Sequence, residues 1–281
     1  MIHVMTVHWG SDRWIDIQLS YLKRFAAEPY RVYAFLNIPN STQHRSKYFY
    51  TSDEPIELHP IKLNLLAEIA RLQSNGPDDL LVFIDGDAFP VGDCFSFVRA
   101  KLRTHPLVAV KRSENNEDYQ PHPLFCATTV GFWHDIGGDW KEGYKWKDAT
   151  GRMVTDVGGN LLGILAARGL SWQPMLRTNK KNLHPVFFGI YEDVVYHHGA
   201  AFRAPLSRLD RYILLEDKQG AGLTKRIMQR LAGMPRNALT LPVRRRARAW
   251  LLGETARLNS EQSKRIYEEI TKNPDFFRQF I

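Results

Sequence analysis

The sequence predicts an α/β protein with a mostly parallel sheet covered by helices on both faces. Three observations lead there. The run Leu80-Leu81-Val82-Phe83-Ile84 is apolar at every position, with Asp78-Asp79 before it and Asp85-Gly86-Asp87 after it, as suits a central strand buried on both sides. Strand-like and helix-like apolar periodicities alternate from Ile2 to Val110, the pattern of repeated βα units with right-handed crossovers. A chain of 281 residues, 44% of them hydrophobic, has enough apolar side chains for one substantial core and an appendage.

Ile2 to His8 reads as the first strand, too short in its apolar run and without the basic start of a signal peptide. Trp14, Ile17, Leu19, Tyr21, Leu22 and Phe25 give the next segment a helical apolar face, and Ser11 stands before it as a candidate cap. Arg31 to Leu36 is a second strand. Pro60 to Gln73 carries Ile61, Leu65, Leu66, Ile69 and Leu72 at helical spacing, and Asn75-Gly76-Pro77 breaks it before the central strand. A helix around Phe95 to Arg103 and a strand from Leu107 to Val110 follow. The chain changes character from Pro121 to Trp133, which reads as an antiparallel part of the sheet. Asp135 to Trp146 is rich in Gly, Trp and charge, the residues of either a carbohydrate-binding surface or a packed loop. Thr155-Asp156-Val157-Gly158-Gly159-Asn160 opens a further helix that continues through Ala166.

The chemistry concentrates where the central strand ends. Asp85 and Asp87 are two apart, so along an extended segment they share a face, at the sheet edge where α/β proteins collect ligands. Gly86 between them permits close approach of backbone or ligand. Two converging carboxylates repel one another unless a cation neutralises them, and hard oxygen donors suit Mg²⁺ or Mn²⁺ with positions left open for a diphosphate. The alternative is that one acid caps a turn and the other is solvated. Late in the chain, His197 and His198 end a β-branched strand, and Gly199 and Arg203 follow; imidazole is a competent third ligand for Mn²⁺ and guanidinium grips phosphate oxygens. Lys62, near the start of the helix before the central strand, can reach a phosphate or stand as an ordinary solvated lysine.

The stretch Val82-Phe83-Ile84-Asp85-Gly86-Asp87 resembles the D-x-D motif of GT-A glycosyltransferases. Val194 to Arg203 is similar to the late H-x-G motif of several such families, the glycogenin-like and galactosyltransferase-like ones included. The resemblance covers the first three quarters of the chain. It implies a GT-A type, Rossmann-like mixed sheet flanked by helices, with Asp85 and Asp87 holding Mn²⁺ or Mg²⁺ on the diphosphate of a nucleotide sugar and a late histidine completing the metal shell. His197 and Gly199 fit the H-x-G spacing; Phe202 stands where the commoner pattern has Lys, and Arg203 comes one residue later, which leaves open which of His197 and His198 is the ligand. The loop after the first strand then holds the nucleoside, with Thr6, His8 and Trp9 as contacts. Asp156 lies where inverting members of the class keep the acceptor-side base; its plainer reading is a helix cap.

These readings divide the chain into a catalytic domain over 1–215, with 1–120 for the nucleotide sugar and 121–215 for the acceptor and the metal-completing segment, and a basic helical C-terminal extension over 216–281. From Glu216 onward there are 14 Lys and Arg against 7 Asp and Glu, while the preceding residues carry 24 against 23. Helices are expected over 223–231, 244–258 and 260–270, and Arg244-Arg245-Arg246, Arg248 and Trp250-Leu251-Leu252 suit an amphipathic helix on an anionic membrane surface. No nucleic-acid recognition motif is present. No apolar run is long enough to cross a membrane, and Cys94 and Cys126 read as free thiols, so a cytoplasmic location, peripheral on the membrane, is expected. The function expected is transfer of a sugar, from a UDP-sugar for preference, to a hydroxyl of a glycan or glycolipid. The competing readings are a nucleotidyltransferase and a noncatalytic scaffold on the same fold. A haloacid-dehalogenase phosphatase also has Asp-x-Asp after a strand, but Ala88-Phe89 replaces its usual threonine.

Overall fold

Alternation along the first strands decides the layering. In the computed structural model, which describes residues 1–114, 118–148, 151–180, 189–199 and 222–281, β1 (Ile2–Trp9) pairs in parallel with β2 (Tyr30–Asn37) on one side and with β4 (Leu80–Asp85) on the other. Ile2, Val4, Val32, Ala34, Leu80, Val82 and Ile84 point to one face, where they meet α1 (Ile15–Phe25) and α3 (Cys94–Lys101). Met5, Val7, Tyr33, Phe35, Leu81 and Phe83 point to the other, under α2 (His59–Leu72), α4 (Val130–Ile136) and α5 (Gly159–Ala167). A sheet buried on both faces explains why β4 is apolar without alternation.

The full sheet has seven strands in the order β10-β6-β7-β4-β1-β2-β3, with β3 at Tyr50–Ser52, β6 at Leu107–Val110, β7 at His122–Thr129 and β10 at Gln173–Met175. β7 runs antiparallel between β4 and β6, and the other pairings are parallel. The mixed sheet flanked by helices is the expected class, and the antiparallel strand lies in the segment read as such. A three-stranded sheet, β11-β12-β5, joins Gly189–Tyr191, Val195–His197 and Ala88–Pro90, and a two-stranded one joins β8 (Trp146–Lys147) to β9 (Met153–Val154). Cys94 and Cys126 are buried free thiols, as read.

Three local expectations are corrected. Ser11 does not cap α1: the N-cap residue is Trp14, and Ser11 Oγ accepts from Arg13 N at 3.3 Å. Asp156 does not cap α5 either, because that position belongs to Gly158 at φ +89°, where a left-handed residue favours glycine. The tryptophans of Asp135 to Trp146 belong to the core and form no exposed sugar platform, while Lys141 to Lys145 between them are exposed. Trp140 is fully buried with its ring 4.9 Å from that of Phe83, Trp146 is buried, and Asp139 accepts from Asn64 of α2 at 2.6 Å and Asn160 of α5 at 2.7 Å.

The chain divides into two units. Among described residues the first is 1–179, 190–197 and Ile281, and the second is Lys180, Gly189, His198, Gly199 and 222–280. The second unit thus takes in His198, well before the change in charge at Glu216, because contacts rather than composition define it. It contains α6 (Leu223–Ala232) and the 32-residue α7 (Leu241–Lys272), which pack on one another. Ala247, Leu251, Thr255, Asn259, Ser263, Ile266 and Ile270 recur every three or four residues and form the buried stripe of α7. The two helices expected over 244–258 and 260–270 are therefore one, since Asn259-Ser260 contains no breaker. No helix of the described residues is long and apolar enough to cross a membrane.

Candidate metal and nucleotide site

β4 delivers Asp85 to the carboxyl edge of the sheet, in register with Val7 of β1. The chain then turns through Gly86-Asp87 before β5, so Asp87 converges on Asp85 through a turn and not by sharing a strand face. The turn is held from beneath. Gln18, fully buried on α1, donates its side-chain amide to Asp85 O at 2.8 Å and to Ala88 O at 2.7 Å. Gly86 lets β1 come close: a Cβ there would lie 2.5 Å from Val7 O and 2.9 Å from His8 Nδ1.

β5 follows at once and brings the late histidine to the acids. β12 pairs antiparallel with it, setting His197 opposite Ala88, so a residue more than a hundred positions away arrives next to Asp87. His197 Nε2 lies 3.4 Å from Asp87 Oδ1 and 3.8 Å from Asp85 Oδ2. Donor atoms of Asp85, Asp87 and His197 all fall within 4.8 Å of one another, a set suited to a divalent cation. Burial pushes the Asp85 carboxyl above its usual range; His59 and His197 oppose that and Asp87 adds to it. Burial also disfavours a charged His197, but Asp87 and Asp85 outweigh it and hold the imidazole above the ordinary histidine value. Two acids and a histidine clustered at partial burial fit a bound cation, which relieves the repulsion between carboxylates.

His198 is not part of that cluster. Adjacent strand residues face opposite ways, and His198 is buried with Nε2 2.7 Å from Ser263 Oγ of α7 in the second unit. Thr6 is fully buried inside β1 and exposes no atom to a ribose. His8 is buried too, with Nε2 3.1 Å from Tyr48 Oη, which makes it a support under the turn rather than a nucleoside contact. Trp9, by contrast, is 64% exposed, and its ring covers Lys62 Nζ at 4.1 Å. Lys62 is 1% exposed, and burial lowers its pKa to about 8. Arg203 lies outside the described residues.

Asp156 sits half-exposed with Oδ2 3.6 Å from Arg112 Nη2. Arg112, next but one after β6, also pairs with Asp118 at 2.5 Å and acts electrostatically on both Asp85 and His197. Sequence reasoning gave it no role, although Arg112 follows an apolar strand much as Asp85 follows β4. It also missed His122 at the start of β7. Burial, reinforced by Arg112, His197 and His59, holds that imidazole well below the usual value, and its Nδ1 accepts from Leu124 N at 3.0 Å, which leaves the proton on Nε2.

Burial lowers the His8 pKa from 6.5 to about 4, against weaker opposing effects of Asp87 and Gln18. The unfolded chain therefore binds the extra proton between those values, so the stability held by neutral His8 is complete above pH 6.5 and is lost as pH falls toward 4, on the order of 3 kcal/mol in all. His3, also depressed by burial, acts in the same direction. Chemical denaturation at pH 7 and pH 5 should give a smaller loss on acidification for His8→Gln than for wild type. Equal losses would remove His8 from the acid response.

No protein-family model matches the chain, and no curated protein does. Among solved structures, the chain is similar to the catalytic domain of Drosophila β1,4-galactosyltransferase 7 in complex with xylobiose, at 11% sequence identity and a TM-score of 0.38, over 78% of this chain and 81% of that one.

Proposed function

We propose that the chain is a metal-dependent glycosyltransferase of GT-A architecture, transferring a sugar from a nucleotide diphosphate sugar, a UDP-sugar for preference, to a hydroxyl of a glycan or glycolipid. The observation that carries the reading is the convergence of Asp85, Asp87 and His197 at the carboxyl end of a central strand, with ligand-competent atoms within 4.8 Å of one another. Asp85, Asp87 and His197 would hold Mn²⁺ or Mg²⁺, which when bound neutralises charge gathering on the departing diphosphate. α2 begins beside Asp85, and the positive end of its dipole favours the same anion. Trp9 offers an exposed ring for the base, with Lys62 as a cation beneath it. Arg203 is proposed as a further grip on the diphosphate.

On the acceptor side, Asp156 would take the proton from the attacking hydroxyl as its oxygen bonds to the anomeric carbon and the bond from that carbon to the diphosphate breaks. Arg112 Nη2, 3.6 Å from Asp156 Oδ2, helps to orient that carboxylate. The test is a nucleotide-sugar panel with Mn²⁺ or Mg²⁺, read by thermal shift and by product release. One preferred donor releasing nucleoside diphosphate supports the transferase. Release of pyrophosphate from a nucleoside triphosphate and a sugar 1-phosphate, added as a further pair, would make it a nucleotidyltransferase, and no response to any of these substrates with either metal overturns both in favour of a scaffold.

For the second unit we propose an anionic membrane surface as partner. Arg245, Arg246 and Arg248 are exposed on α7 away from its buried stripe, Trp250 is also exposed, and Leu223 and Ile227 of α6 stand in solvent. Each basic residue near such a surface contributes about 1 kcal/mol, so reversing all three arginines to Glu should lower binding to vesicles containing phosphatidylserine by roughly 100-fold or more. Salt should mimic the change, since exposed charges are screened within about 8 Å at physiological ionic strength. Wild type that does not sediment with such vesicles at low salt would end the proposal.

A further inference from the structure

We infer that Gln120 selects the transferred sugar, its side-chain amide pairing with two adjacent hydroxyls of that sugar while Arg112 Nε donates to one of them. The inference rests on the glycosyltransferase reading above and deepens it by naming a specificity-determining residue and the group it reads.

The placement follows from how the chain enters β7. His122 pairs with Val110 across the antiparallel β6–β7 ladder, so the residues just beyond them, Arg112 leaving β6 and Gln120 approaching β7, come to the same edge. Burial alternates through that approach: Asp118 is buried against Arg112, Tyr119 is exposed, and Gln120 is fully buried. On its other side Gln120 meets the start of α5. A Cβ on Gly158 would run into Pro121 O and lie 3.4 Å from Gln120 Cγ, and Gly158 stands two residues after Asp156. Arg112 joins the two halves of the site, with Nη2 3.6 Å from Asp156 Oδ2 and its charge acting on Asp85 and His197. Gln120 therefore lies beside the arginine that spans the interval a sugar crosses.

The hydrogen bonds there are unfinished. Among the described residues Gln120 is the one side-chain amide buried with neither Oε1 nor Nε2 paired, and Arg112 Nε is buried and unpaired as well. Such groups are rare in folded proteins, because an orphan forfeits its bonds to water without replacement. A phosphate or carboxylate only accepts, so it leaves Oε1 unmet, and Asp118 and Asp156 repel it. An ammonium only donates, and it meets the charge of Arg112. Hydroxyls do both: an adjacent pair accepts from Arg112 Nε and Gln120 Nε2 and donates to Gln120 Oε1. Arg112 keeps 20% of its side chain in solvent, so the sugar enters on that side, and the bonds made by matching hydroxyls offset the displacement needed to reach the enclosed amide.

The experiment compares full-length wild type with Gln120→Met, close in volume but without the amide, in melting and in turnover with Mn²⁺. The substrates are the preferred donor and its monodeoxy analogues, each lacking one hydroxyl. Because the amide satisfies nothing in the free protein, Gln120→Met should melt no more than about 2 °C below wild type, yet its kcat/KM for the preferred donor should fall about 10- to 100-fold. Wild type should lose a similar factor with the analogues deoxygenated at two adjacent positions, and with those analogues Gln120→Met should fall less than about threefold below wild type. A larger drop in melting temperature would make the amide structural. An unchanged kcat/KM, or a loss that is the same whichever hydroxyl is missing, would show that Gln120 reads no hydroxyl; any of these results overturns the inference and leaves the transferase standing. Wild type that turns over no donor removes the transferase reading and the inference with it.

Discussion

Asp87→Ala should abolish Mn²⁺-dependent nucleotide binding and donor turnover while leaving the fold intact. Asp87 occupies the turn between β4 and β5, partly exposed, and its carboxylate supplies the closest contact to His197, at 3.4 Å. Losing it removes one of the two hard anionic donors and the main partner that keeps His197 aligned. Metal stabilisation of a departing diphosphate contributes several kcal/mol, so a loss of about 10³-fold or more in turnover is expected. Stability should change little, because the substitution opens no cavity in the core and relieves repulsion at Asp85. Calorimetric titration of Mn²⁺, then of nucleotide, into wild type and variant decides it. Unchanged Mn²⁺ affinity would sink the metal assignment, and a collapse of the melting transition would show that Asp87 is structural.

Much of the site was legible in the sequence because its anchor is local. A fully apolar strand ending in two acids carries its own context, and the α2 and β4 segments lie within two residues of where periodicity puts them. His197 was legible as one of two, and only the pairing of β12 with β5 separates it from His198. What sequence could not supply were contacts made at long range. Gln18 looks like a polar position on an amphipathic helix, and nothing local says that its amide reaches two carbonyls nearly seventy residues away. His59 was visible as the residue before a proline, but its aim at Asp85 depends on how the crossover folds back.

The misreadings share a physical cause. Trp140 and Trp146 stand among charges and glycines, which resembles an exposed carbohydrate surface, yet Asp139 is satisfied by Asn64 and Asn160 and the indoles go inward. Thr6 and His8 sit near the strand end, where exposure was the natural expectation; burial on both faces runs one residue further than that, to His8, and stops at Trp9. Composition marks where charge changes, whereas the fold groups His198 with the C-terminal helices.

Gly86→Ala should cost both stability and metal affinity, and so separate the turn's geometry from its ligands. The residue is not among the glycines at positive φ, so its need is for space rather than for a special backbone conformation. An added Cβ would meet Val7 O at 2.5 Å and His8 Nδ1 at 2.9 Å, distances that real atoms do not hold. Val7 O belongs to β1, which is paired on both sides, and His8 is buried beside Tyr48, so neither can give way cheaply. The turn must move instead, against the two bonds from Gln18 at 2.8 and 2.7 Å. Overpacking of this kind costs about 1–3 kcal/mol, and each lost hydrogen bond about 1 kcal/mol more, for a drop in melting temperature of roughly 5–10 °C. Moving the turn also displaces Asp85 and Asp87 together, so Mn²⁺ affinity should fall in step with stability, unlike Asp87→Ala, where affinity falls alone. A variant that melts with wild type and binds Mn²⁺ as tightly would mean that β1 accommodates the methyl group and that the close approach at Gly86 does not shape the site.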